Sequence, residues 1–245
     1  MSLNTTQTVR EIVRSNPAAV GVFESLGIDY CCGGGTSLED ACRKARIPVA
    51  NVIADLEEAL HVAPIQEDCH WLTCSLSTLA DHITTVHHGF TRNRMPTLAM
   101  LATKVYLRHG AARPELKQLA GFVTALEREL LPHMEKEEQI LFPALRAMET
   151  SSGSSDTFKP VLQRALLHPI RHMMEEHDDA GALLKSIRSV TGNYQLPEGA
   201  CGSYQALYGG LQEMEKDLHR HIHLENNILF PRALELEKGR QERLA

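Results

Sequence analysis

Two strings in this chain repeat, and each carries a histidine four residues before a glutamate. His133-Met-Glu-Lys-Glu137-Glu-Gln-Ile-Leu-Phe-Pro143 recurs as His221-Ile-His-Leu-Glu225-Asn-Asn-Ile-Leu-Phe-Pro231, 88 residues on (133 to 221). His88 and His177 precede the two strings and are related by almost the same offset, 89 residues (88 to 177). On a helix, positions i and i+4 share a face one turn apart, so His133 points with Glu137 and His221 with Glu225. Leu130, Ile140 and Leu141 fall close to the first pair's face, and Leu218, Ile222, Ile228 and Leu229 to the second's. Both faces are therefore expected to turn inward. Burying a carboxylate costs several kcal/mol unless an opposite charge compensates it. A chain that does this twice, each time beside a histidine, calls for a bound cation.

Two ions suit this donor set better than one. A carboxylate has two oxygens and can bridge, whereas a neutral imidazole binds a single ion. Two carboxylates against two divalent ions leave a net charge of roughly +2 for water, hydroxide or an oxo group to reduce. No cysteine falls in the repeated strings, which argues against structural zinc and copper(I). A mixed imidazole and carboxylate set in a helical core favours non-haem iron, with manganese and zinc as alternatives. A single His-x-x-x-Glu is common and usually an exposed pair; duplication inside matching strings is what separates this case.

Thirteen histidines invite over-assignment. At 100° per residue, His219 and His223 lie about 160° from His221 and are expected on the outer face. His82, His168 and His172 fall well off the faces of His88 and His177, while His87 is a rival to His88, about 100° away. His61, His70 and His109 sit at helix ends or in loops. Glu129 and Asp217, each four residues before a ligand histidine, are candidate acceptors for imidazole N–H, and Glu176 beside His177 is a third. Solvated surface charge is the alternative for all three.

The elements that must hold these residues are helical. Long patterns run over residues 76–109, 114–148, 160–191 and 197–238, separated by short connections, which implies an antiparallel up-and-down bundle of four helices. Pro96, Pro132, Pro143, Pro169 and Pro231 are expected to kink or end helices locally. Before the bundle, Thr8-Val-Arg-Glu11 reads as a capping box. Three further short helices are expected at residues 17–26, 37–46 and 48–61. An N-terminal helical domain over residues 1–62 and a bundle over 75–240 make up the chain, and the smaller one is marginal in size on its own.

Composition agrees with an all-α globular protein. The 245 residues are 43% hydrophobic, 23% charged and only 5% aromatic, with a net charge of −6. That balance disfavours disorder, a β-sandwich and nucleic acid as a partner. The first residues show no basic stretch followed by an apolar run, so no signal peptide is expected, and no apolar run suggests a membrane span. Of six cysteines, Cys31 and Cys32 are adjacent, inside Asp29-Tyr-Cys-Cys-Gly-Gly-Gly35. This suits thiol or metal chemistry in a reducing, cytoplasmic setting better than stapling. An inert turn is the alternative. Cys42, Cys69, Cys74 and Cys201 show no pairing logic, so thiols are the expectation.

With these motifs in view, the chain resembles the iron–sulfur cluster repair di-iron proteins, relatives of haemerythrin that act under nitrosative and oxidative stress. The resemblance spans Thr8 to Leu234. It rests on Asp29-Tyr-Cys-Cys-Gly-Gly34, Lys136-Glu-Glu-Gln-Ile-Leu-Phe-Pro143, Glu176-His-Asp-Asp-Ala-Gly181 and His221-x-x-Leu-Glu-Asn-Asn-x-Leu-Phe-Pro-Arg232. It implies a small domain bearing the cysteine pair, then a haemerythrin-like bundle with two non-haem iron ions, oxo- or hydroxo-bridged. The implied ligands are His88, His133, Glu137, His177, His221 and Glu225, both glutamates bridging.

The expected function is repair of damaged iron–sulfur proteins, by iron donation or nitric oxide handling, with Cys31 and Cys32 as the reactive thiols. An imidazole and carboxylate site holds ferrous iron less tightly than a thiolate cage, which favours release. Two other readings use the same ligands: a reservoir or sensor for NO or O2, and reduction of NO at the two irons. The cysteine pair distinguishes repair from a simple gas reservoir. A homodimer is compatible with all three.

Overall fold

The computed structural model describes residues 3–61, 71–150 and 166–244. Cys69, His70 and the expected helix start at Pro160 lie outside the described residues. The fold is all-α; beyond one isolated bridge between Thr8 and Ser37, no β pairing occurs among the described residues. Among the described residues, no helix is long and apolar enough to cross a membrane.

Four short helices come first: α1 (Val9–Ser15), α2 (Ala19–Leu26), α3 (Leu38–Ala45) and α4 (Val49–His61). The capping box at the start of α1 forms as expected. Thr8 Oγ1 accepts from Glu11 N, and Thr8 N donates to the Glu11 carboxylate at 2.8 Å. Gly27, at φ 65°, ends α2 in the left-handed region that glycine adopts at least cost.

Four long helices follow, and three of them change pitch. α5 (76–109) runs through Leu76–His82, a π-helical stretch Ile83–His88 and Gly89–His109. α6 (115–150) runs through Glu115–Lys136, a π-helical stretch Glu137–Leu141 and Phe142–Thr150. α7 is Leu167–Val190. α8 (202–244) runs through Gly202–His223, a π-helical stretch Leu224–Leu229 and Phe230–Leu244. Wider i→i+5 turns of this kind concentrate at functional sites. Here each stretch contains a residue of the expected ligand set.

The prolines do not end these helices. α5 continues through Pro96 and α6 through Pro132, while Pro169 occupies the first turn of α7, where a missing N–H costs nothing. Pro143 and Pro231 each stand two residues after a π-helical stretch. A proline ring collides with the carbonyl four residues back, and a wider turn relieves that collision. The repeated Leu-Phe-Pro is thus coupled to the change of pitch.

The chain divides into two compact units, residues 1–79 with 222–245, and residues 80–221. The boundary falls inside α8. In the second unit one core draws on all four long helices: Leu98 and Val105 from α5, Leu119 and Leu126 from α6, Leu184 and Ile187 from α7, Leu207 and Leu218 from α8. A Cβ at Gly210 would come within 2.7 Å of Leu98 Cδ2, so glycine permits this close approach of α8 to α5.

In the first unit Ile12, Phe23, Tyr30, Leu38, Val52 and Leu56 share a core with Ile222 of α8. Four short helices alone bury little apolar surface. The last part of α8 supplies the missing wall.

Ile140, expected to face inward, is 65% exposed, whereas Leu141 is buried. Its assignment assumed a constant 3.6-residue turn, and α6 widens at Glu137, three residues earlier.

Candidate metal centre

All six side chains singled out in the sequence are buried: His88, His133, Glu137, His177, His221 and Glu225 are each at most 3% exposed. Five belong to the unit of residues 80–221, and that unit brings them together. His88 closes the π-helical stretch of α5, and Glu137 opens that of α6 one turn beyond His133. His177 comes from the middle of α7, and His221 from α8. Glu225 follows His221 by four residues along α8, inside the π-helical stretch.

The geometry is paired. His88 Nε2 lies 3.1 Å from His221 Nε2, and His177 Nε2 lies 3.0 Å from His133 Nε2. Glu137 Oε2 is 3.4 Å from His88 Nε2 and 3.4 Å from His133 Nε2. One carboxylate therefore stands equally close to a nitrogen of each histidine pair. Nitrogen atoms this close, beside a carboxylate shut away from water, match the vertices of coordination shells.

Carboxylates behind the rings orient them. His88 Nδ1 lies 2.6 Å from Glu138 Oε1, and His133 Nδ1 lies 2.8 Å from Glu176 Oε2. A neutral imidazole that donates from Nδ1 must present the Nε2 lone pair inward, the tautomer a metal ion needs. Glu138 is also held by Arg92 at 2.7 Å, and Glu176 by Lys136 and, at 3.2 Å, by His172. Burial pushes both carboxyls up, but the Arg92 and His88 contacts at Glu138 outweigh it, as do Lys136 and His133 at Glu176. Both titrate below their ordinary value and remain anionic acceptors.

Of the three expected acceptors, only Glu176 takes that role at one of the six side chains, and it serves His133 on the neighbouring helix. Asp217 instead sits 2.9 Å from Nδ1 of His87. Glu129 is pushed up by burial and by the Asp179 and Glu176 carboxylates, so it does not share their role. Glu138 was missed. It is adjacent to Glu137 and reaches across to α5, a partnership that same-helix spacing cannot reveal.

His87, the rival of His88, and His223 are both buried, and for His223 this differs from the expected setting. His87 is buried, bonded to Asp217 and stacked on His221, with ring centroids 5.7 Å apart and planes 6° apart. His223, expected on an outer face, is 3% exposed. In the first unit it packs edge-on against Tyr30 and lies 2.8 Å from Asn227 Nδ2. The first unit covers that face of α8, which helical periodicity within α8 alone cannot show.

The cysteine turn belongs to the same unit. Asp29 Oδ1 accepts from Cys32 N at 3.0 Å and Gly33 N at 2.9 Å. Asn226 Nδ2 donates to Cys31 O at 3.3 Å, and Asn227 Nδ2 to Tyr30 O at 2.9 Å. A Cβ at Gly34 would stand 2.8 Å from Tyr30 O, so the turn requires glycine there. The paired asparagines were overlooked, although Asn226 and Asn227, following Glu225 between Leu224 and the apolar Ile228–Phe230, signalled a buried polar role. Among the remaining cysteines, Cys42 is a core residue and Cys201 is exposed, 3.4 Å from His109 Nε2.

Comparison with known proteins adds the family. Residues 79–233 match the Hemerythrin HHE cation binding domain, and residues 5–60 match ScdA_N, a Domain of Unknown function. The iron-sulfur cluster repair protein YtfE of Enterobacter sp. (strain 638) is 40% identical over 228 residues, covering 93% of this chain and 96% of that protein. The protein of the same name from Citrobacter koseri is equally similar, and that from Escherichia coli O81 (strain ED1a) is 38% identical over the same length. A cation-binding bundle preceded by the second matched domain, with similarity over nearly the full length, places this chain in the family of the iron–sulfur cluster repair protein YtfE.

Proposed function

We propose that this protein repairs damaged iron–sulfur clusters, holding two non-haem iron ions on His88, His133, Glu137, His177, His221 and Glu225. The observation that carries this reading is Glu137 Oε2 standing 3.4 Å from nitrogens of both histidine pairs. His88 and His221 together with this carboxylate would hold one ion, and His133 and His177 with it a second. Glu225, buried one turn past His221, would be a further carboxylate ligand.

Iron held there would supply exchangeable ferrous ion and a centre that reacts with NO or O2. The protein's residues do the rest. Glu138 and Glu176 fix the tautomers of His88 and His133 and keep both Nε2 lone pairs inward. Each of the six side chains is at most 3% exposed, which keeps bulk water away. Nitrogen and oxygen donors would hold ferrous iron less tightly than a thiolate cage, which favours release. Cys31 and Cys32 are the protein's own thiols for receiving iron or reacting with NO, in a reducing compartment.

The test is restoration of an iron–sulfur enzyme inactivated by NO. Metal-free protein, reconstituted anaerobically with ferrous salt, is expected to retain two irons per chain and to restore the enzyme faster than the same concentration of ferrous salt. A chain that retains no stoichiometric iron, or that restores no more than the salt alone, overturns the reading. The double variant Glu137→Gln, Glu225→Gln is expected to lose both properties.

A further inference from the structure

The cysteine turn has the dimensions of a metal site of its own. Metal–sulfur bonds near 2.3 Å and metal–oxygen bonds near 2.1 Å, at tetrahedral angles, put two sulfurs about 3.8 Å apart and a sulfur and an oxygen about 3.6 Å apart. Cys31 Sγ lies 3.7 Å from Cys32 Sγ and 3.6 Å from Asp29 Oδ1. A carboxylate oxygen of Asp29 and both sulfurs all fall within 4.8 Å of one another.

We propose that Asp29, Cys31 and Cys32 form a three-donor site for a borderline divalent cation, Fe(II) in this protein, with a fourth position open to an acceptor. The inference deepens the role given above to the cysteine pair, and it stands on the geometry of the turn within its own unit.

Two features prepare the site. The backbone N–H groups of Cys32 and Gly33 hold Asp29 Oδ1 in place, so its carboxylate is oriented before any ion arrives. Asn226 and Asn227 grip the carbonyls of Cys31 and Tyr30, and Arg10 Nε donates to Asn227 Oδ1 at 2.8 Å, which fixes the turn's backbone. Binding releases the two thiol protons to solvent. Two thiolates and a carboxylate against one divalent ion leave a charge of −1.

The donor set selects the ion class. Two thiolates exclude Mg(II) and Ca(II) as preferred guests, and three donors rather than four leave the ion exchangeable. A site of this kind accepts iron from nitrogen and oxygen ligands and can yield it to a target that offers more sulfur.

Co(II) reads the site, because thiolate ligands give it a sulfur-to-metal charge-transfer band that imidazole and carboxylate ligands do not. Anaerobic titration of the full, reduced chain with Co(II) is expected to show that band at one ion per chain. Cys31→Ser and Cys32→Ser should each abolish it. Asp29→Asn keeps the Oδ1 acceptor for both backbone N–H groups, so the turn persists, yet the Co(II) affinity should fall about tenfold or more. Absence of the band in the unaltered chain overturns the proposal. So does Asp29→Asn binding as tightly as the native protein, since two thiols alone would then account for the site. Glu137→Gln should leave the thiolate band in place while reducing Co(II) bound in the bundle, so failure of the turn site and failure of the bundle site are read separately.

Discussion

Glu138 stands behind His88, its Oε1 2.6 Å from Nδ1, while Nε2 of the same ring lies 3.1 Å from His221 Nε2. Glu176 does the same for His133 from α7. Each acceptor sets the tautomer and basicity of the histidine in front of it. Replacing such a group typically costs about 10 to 100-fold in metal affinity. Glu138→Gln and Glu176→Gln are each expected to weaken iron binding by about that factor with unchanged helicity. Competition with a chelator of known affinity measures it. An unchanged affinity in both would show that the rings are oriented by packing alone.

Glu137 gives a prediction whose sign depends on metal. Its carboxylate is fully buried. Without metal, that buried charge is a burden. Glu137→Gln should therefore stabilise the metal-free protein, by about 1–3 kcal/mol. With metal present the order should reverse, because the variant has lost a ligand. Thermal unfolding of both forms with and without iron tests this. A variant less stable under both conditions would mean that the carboxylate is held chiefly by the protein.

Asn227 links α8 to the cysteine turn through Tyr30 O, His223 Nδ1 and the Arg10 guanidinium. Truncating a buried group of this kind leaves its partners unsatisfied, at about 1–3 kcal/mol for each affected group. Asn227→Ala is expected to lower stability by that order and to speed alkylation of Cys31, which is 2% exposed in the native fold. Alkylation followed by mass spectrometry reads the second effect. Equal labelling rates in variant and parent would show that the turn holds itself.

The repeated His-x-x-x-Glu strings made the buried His and Glu cluster legible, because residue type and one-turn spacing survive any detail of packing. The capping box at Thr8 and the all-α class were legible for the same local reason. Ile140 and His223 were not. Ile140 lies past the point where α6 widens into a π-helical turn, so a constant angle per residue misplaces it. His223 is buried by a unit assembled from both ends of the chain, and sequence separation hides that contact. Glu138 reaches His88 across 50 residues, which no single-helix periodicity encodes.

Tyr194 offers a test of stability against pH that is independent of metal. It adopts φ 61°, a left-handed conformation unusual for a tyrosine, and its hydroxyl donates to Glu215 Oε2 at 2.7 Å. Arg188 holds the other Glu215 oxygen, with Nε 3.0 Å from Oε1. Burial, with the Glu215 carboxylate next, pushes the Tyr194 hydroxyl far above its ordinary value. An unfolded tyrosine ionises near pH 10. The contribution is therefore complete below about pH 10 and declines as pH rises toward the elevated folded value, since only the unfolded chain then releases the proton. Tyr194→Phe removes the hydrogen bond and should cost about 1–3 kcal/mol near neutral pH. It should also flatten the loss of stability above about pH 10. Urea unfolding of both proteins between neutral and alkaline pH reads the difference. If their stabilities fall in parallel above that point, the alkaline sensitivity comes from other groups and not from the Tyr194–Glu215 bond.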